Sequence, residues 1–121
     1  MSEPKEKRAA PREPVHLVAE IEIGGEQIGC GVSRDANGTG VLLLTHLHLV
    51  PTTAIVLKLY VPREGEPRRL RGSVVRCEQI QANEGIVWDY RVAVALHDPP
   101  PDLQRVMQSL SRRSSLPPPA L

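Results

Sequence analysis

Two groups of residues have the types and spacing to bind a ligand. Arg8 and Arg12 stand in "RAAPR" near the amino end, and Asp35, Asn37 and Gly40 stand in "DANGTG", between two apolar runs. Arginine's planar fork matches phosphate oxygens and also the O6/N7 edge of guanine, whereas a carboxylate or an amide reads the N–H donors of the base. Glycine lets the backbone come close to a ligand because no Cβ stands in the way. Two guanidinium groups facing a bend of short polar side chains therefore suit a guanine nucleotide with phosphates. Asn37 and Gly38 form the strongest short-range hairpin signal, since both accept positive φ. A tight turn would account for those two and not for Asp35 and Gly40. Lys7, which extends the basic run, Gly38 inside the bend, and Arg76 in a later apolar stretch are secondary candidates for the same site.

These residues need a scaffold, and the pattern points to strands. Alternation over residues 15–23 puts Val15, Leu17, Ala19, Ile21 and Ile23 on one face, and "GGE" turns the chain into a second strand over 27–34. Further strands are expected over 41–45, 54–61, 69–79 and 86–96, the last with Trp88, Tyr90, Val92, Val94 and Leu96 on one face. Six antiparallel strands leave two exposed edges, and closing into a small split barrel removes them. "HDPPPDLQRVMQSLSRR" then reads as one short helix. Its prolines suit the helix start, Leu103, Val106, Met107 and Leu110 form one stripe, and Arg112 and Arg113 suit the carboxyl end.

The expected organisation is a basic arm over 1–14, a barrel with its helix over 15–113, and a Pro-rich tail over 114–121 with nothing to bury. In a barrel led by a hairpin, the loop after the second strand lies near the start of the first, so the arm is expected beside Asp35, Asn37 and Gly40.

Composition narrows the function further. A formal net charge of +1 gives no support to coating DNA or RNA, or to a polybasic membrane role. The first residues lack the apolar run of a signal peptide and no segment is long enough to cross a bilayer, so the chain reads as cytoplasmic. Cys30 and Cys77 are isolated and are expected as small buried side chains rather than metal or redox groups. His46 and His48 are expected as loop histidines without a third metal ligand, and Trp88 and Tyr90 as core or partner-facing rings. There is no nucleophile elbow, phosphate loop or metal-binding spacing, which argues against an enzyme.

The order and spacing of the two motifs resemble those of PilZ domains, receptors for the bacterial second messenger cyclic di-GMP. Arg8 and Arg12 match the Arg-x-x-x-Arg of that family's leading arm. Asp35, Asn37 and Gly40 match its Asp/Asn-x-Ser-x-x-Gly, with Asn37 where serine is usual. "RLRGSVVRCE" and "YRVAVALHDPP" also look like late strands of the family, so the resemblance spans about residues 7–108. It implies a PilZ-like barrel that needs no cofactor and clamps cyclic di-GMP between the arm and the Asp-x-Asn-x-x-Gly bend. Such a receptor would signal through a protein partner. The alternative is a PilZ-like interaction module that keeps the barrel without binding nucleotide.

Overall fold

The computed structural model describes residues 13–114, and the side chains of all of these except 13, 14, 83 and 112–114. Lys7, Arg8 and Arg12, the tail over 115–121 and the side chains of Arg112 and Arg113 lie outside the described residues. The described elements follow in the order β1 (Glu13–Pro14), β2 (Val18–Ile23), β3 (Glu26–Ala36), β4 (Gly40–Thr45), β5 (Ala54–Leu59), β6 (Arg68–Gln79), β7 (Tyr90–Leu96) and α1 (Leu103–Ser114).

The β2–β3 hairpin closes through Gly24 and Gly25, at φ 62° and 86°. Ile23 pairs with Glu26 across that two-residue loop, the left-handed turn whose twist matches the strands. Neighbours then run in the order β3-β2-β5-β6-β7-β4, and β4 pairs back onto β3, so the six longer strands form a closed antiparallel barrel. Closure leaves them no free edge. Two-residue β1 is added at the far end of β3, with Glu13 opposite Ala36 and Pro14 opposite Asp35.

With no phenylalanine in the chain, the interior is filled by aliphatic side chains such as Ile21, Leu43, Leu57, Leu59 and Val92. The stripe of α1 completes it: Leu103, Met107 and Leu110 join the same buried cluster. Each such side chain contributes about 1.5–3 kcal/mol by leaving water. Arg68 ties the start of the helix to the turn between β5 and β6. It donates to both carboxylate oxygens of Asp102 at 3.0 Å and to both of Glu64 at 2.9 and 3.0 Å. These bonds, that to Asp102 first, push the guanidinium pKa up, and the same contact holds the Asp102 carboxyl below its ordinary value.

The structure corrects several expectations. The last strand begins at Tyr90, not at residue 86, because residues 80–89 form a closed loop around a 3-10 turn at Ala82–Glu84. The Glu84 carboxylate accepts the Gln81 N–H at 2.9 Å, and the Ile80 N–H reaches the Asp89 carbonyl at 2.8 Å. Trp88 therefore leaves the strand face and lies beside His46, ring centres 4.7 Å apart. Cys30 is exposed and Cys77 only half-buried. Gly31 and Ser33 take the inward phase of β3, which turns Cys30 outward. Glu22 keeps the outward phase it shares with Glu20 and is covered there by cations: Lys58 meets both carboxylates, and Arg69 meets that of Glu22 at 3.1 Å.

Candidate functional site

The bend after β3 differs from the turn that Asn37 and Gly38 lead one to expect: neither residue has positive φ. The side chain of Asn37 makes the bend instead. Its Oδ1 accepts the N–H of Thr39 and the N–H of Gly40, both at 2.8 Å, and the Thr39 hydroxyl at 3.1 Å. The Asn37 N–H meanwhile donates to the Gly40 carbonyl at 3.0 Å. Asparagine is suited to bonding its own backbone two residues on. The residue is buried, with 4% of its surface exposed.

Gly38 is needed for room. A Cβ there would lie 3.1 Å from Cβ of Gln104 on α1, and its N–H donates to Gln104 Oε1 at 2.6 Å. The helix is thus seated directly on the bend.

Asp35 does not lie in the bend itself. β3 runs on to Ala36 past an irregularity between Ser33 and Asp35, which puts Asp35 in the strand, opposite Leu42 and Pro14. Ser33, fully buried, anchors the neighbouring segment: its hydroxyl accepts the Leu17 N–H at 2.8 Å and donates to the Val15 carbonyl. Together with β1, which also borders α1, this fixes the described start of the chain beside Asp35 and Ala36.

Gly40 opens β4, opposite Ala95 of β7. A shallow groove of about 280 Å³ runs outward from the bend along the barrel wall, lined by Asn37, Thr39, Gly40, Arg76, Ala93 and Ala95. The small side chains of Ala93 and Ala95 on β7 leave room for it. Arg76 is 54% exposed and meets Glu78 at 3.3 Å. The structure thus brings Asn37, Gly40 and Arg76 to one groove, with Asp35 and Gly38 in the strand end and bend that border it. Lys7, Arg8 and Arg12 fall outside the described residues.

The other concavities and rings lie elsewhere. A larger hollow of about 510 Å³ between the β5–β6 turn and α1, with Val61, Arg63, Arg105 and Leu110 on its walls, contains none of the candidate residues. Tyr90 pairs with Thr45, at the opposite end of β4 from Gly40, which puts it about 17 Å along the strand from the bend. His48 packs beside Tyr90, and His46 meets Asp89 at 2.9 Å, so these polar rings are engaged at that far end. Among the described residues no three His, Cys, Asp or Glu side chains are grouped to hold a metal, and no helix is long and apolar enough to cross a membrane.

Sequence reasoning missed Ser33 and Gln104. Ser33 is legible as a polar residue in the inward phase of a strand. Gln104 carried no local signal, because its partner is 66 positions away.

The fold agrees with comparisons to known proteins. The chain aligns by fold with the structure of Bacillus subtilis Inhibitor of motility (MotI/DgrA), at a TM-score of 0.67 and 19% identity, over 88% of this chain and 51% of that one. It therefore spans about half the length of that protein. No curated protein matches the chain. The family model for the PilZ domain matches residues 6–113, which takes in the arginine arm, the barrel, the bend and the helix. The chain belongs to the PilZ domain family.

Proposed function

We propose that the chain is a receptor for cyclic di-GMP, held between the arginines of the arm and the groove that starts at the Asn37–Gly40 bend. The observation that carries this reading is the pairing of Glu13 with Ala36 and of Pro14 with Asp35. Arg12 is the residue before Glu13, and Arg8 is five residues before it. At no more than about 3.6 Å per residue, Arg8 is tethered within about 18 Å of Glu13. Both guanidinium groups are thus tethered beside the bend that begins at Ala36.

The division of labour follows from the chemistry. Arg8, Arg12 and Lys7 meet the phosphates and the guanine O6/N7 edge. Asp35 offers a carboxylate to the N–H donors of the base, and Gly38 and Gly40 bring the backbone close. Arg76 approaches from the barrel wall. The ligand undergoes no bond change, so the protein works by binding, and closure of the arm over the ligand alters the surface offered to a protein partner. A structural relative is an inhibitor of motility, which supports an output carried by contact with another protein. A receptor for an intracellular bacterial messenger works in the cytoplasm.

A specific observation favours the second reading, an interaction module that binds no nucleotide. Asn37 stands where the family usually has serine, and its Oδ1 is occupied within the bend. Calorimetric titration with cyclic di-GMP separates the two. The receptor reading expects binding by the native chain. A charge-assisted hydrogen bond is worth about 1.5–3 kcal/mol, so Arg8→Ala and Arg12→Ala are each expected to weaken binding by about 10- to 100-fold. No heat from the native protein would leave the interaction module.

A further inference from the structure

We propose that Gln104 of α1 is a further ligand-contacting residue, donating its carboxamide N–H to the acceptor edge of the bound nucleotide. The inference rests on the receptor reading above and names a contact that the two motifs do not contain.

Three observations carry it. Gln104 Oε1 accepts the Gly38 N–H at 2.6 Å, so the carboxamide is oriented: its oxygen is committed to the bend, and its nitrogen can act only as a donor. That nitrogen is buried and has no hydrogen-bond partner in the structure. Buried amide groups are nearly always paired, and a donor left over at the edge of a binding bend calls for an acceptor. Finally, Gln104 is not serving its own helix. The first turn is closed by the Leu103 N–H on the Pro100 carbonyl and the Val106 N–H on the Asp102 carbonyl, and the buried stripe is Leu103, Met107 and Leu110.

The chemistry of the acceptor follows. Guanine presents O6 and N7, both acceptors, whereas adenine presents a donor at N6 beside N7. A fixed donor therefore favours guanine, and a phosphate oxygen meets the same requirement. Because Gln104 belongs to α1, the contact makes the helix a wall of the site. An occupied bend then holds α1 more firmly than an empty one, which gives the nucleotide a route to whatever partner reads the helix.

The test compares cyclic di-GMP binding by the native chain, Gln104→Glu and Gln108→Glu. Glutamate at 104 keeps an acceptor for the Gly38 N–H and removes the donor; glutamate at 108 adds the same charge one helical turn further on. The proposal expects Gln104→Glu to bind at least about tenfold more weakly and Gln108→Glu to stay within about threefold of native. Equal effects of the two variants, or native affinity of Gln104→Glu, would overturn it. A second measurement needs no variant: the Gln104 side-chain NH2 resonances are expected to shift when the native protein is saturated with cyclic di-GMP. Native binding with those resonances unmoved defeats this inference alone. No binding by the native protein defeats the receptor reading, and this contact with it.

Discussion

Replacing Asn37 with alanine tests whether a side chain, rather than backbone preference, makes the bend. The substitution removes one acceptor shared by three donors, the N–H groups of Thr39 and Gly40 at 2.8 Å and the Thr39 hydroxyl at 3.1 Å. Thr39 is exposed and regains water, so its bonds count for about 1 kcal/mol together. The Gly40 N–H is on a half-buried residue beside β7, and leaving it without an acceptor costs about 1–2 kcal/mol. The sum is about 2–3 kcal/mol. For a domain of this size each kcal/mol moves Tm by about 4–8 °C, so Asn37→Ala is expected to melt roughly 8–24 °C below the native chain. Thermal and urea unfolding followed by circular dichroism and by Trp88 fluorescence measure this directly. Asn37→Asp keeps an oxygen in the acceptor position and is expected to recover at least half of the loss. Asn37→Ala within about 0.5 kcal/mol of native, or Asn37→Asp as unstable as the alanine variant, would refute the account.

Crowding at the β3–β4 contact gives a second expectation. A Cβ on Gly31 would lie 2.3 Å from the Leu44 carbonyl oxygen, whereas one on Gly65 meets nothing within 4 Å. Gly31→Ala is therefore expected to cost about 3 kcal/mol or more and Gly65→Ala less than about 0.5, and equal urea midpoints would contradict this. The Arg68 contacts give a third. Asp102 has its folded pKa held below the unfolded value, so the stability it adds is complete above about pH 4 and disappears as pH falls through the folded value. Arg68→Met is expected to melt a few degrees lower at neutral pH, with the gap to native narrowing below about pH 4; a gap constant down to about pH 2.5 would sink the assignment. The groove gives a fourth: Arg76→Ala is expected to leave Tm unchanged, as the side chain is exposed, while weakening cyclic di-GMP binding by about tenfold. Undiminished affinity would remove Arg76 from the site.

The barrel was legible because its signals are local. Alternating apolar residues marked the strands, paired glycines marked the β2–β3 turn, and a stripe of Leu103, Met107 and Leu110 marked the helix. Misreadings fell where distant contacts decide the local shape. Asn37 and Gly38 avoid the left-handed turn because the asparagine bonds its own backbone and α1 presses on the glycine. Cys30 faces out because its two glycine and serine neighbours hold the inward phase. Trp88 leaves the last strand because Glu84 and Asp89 fold the preceding loop. At the candidate site, Asn37 and Gly40 come to one groove from a single short polar stretch of the chain. Arg76 reaches the same groove only because β6 and β7 are neighbours in the closed barrel, an adjacency that no spacing along the chain encodes.

Ser33 and the two-residue strand β1 act as a mooring. A guanidinium confined within about 18 Å of that point is present at an effective concentration on the order of tens of millimolar. Free arginine or guanidinium salt in the millimolar range would not substitute for the arm. If the proposed receptor reading holds, weakening the mooring by Ser33→Ala lengthens the leash, away from the groove itself, and dilutes both cations at once.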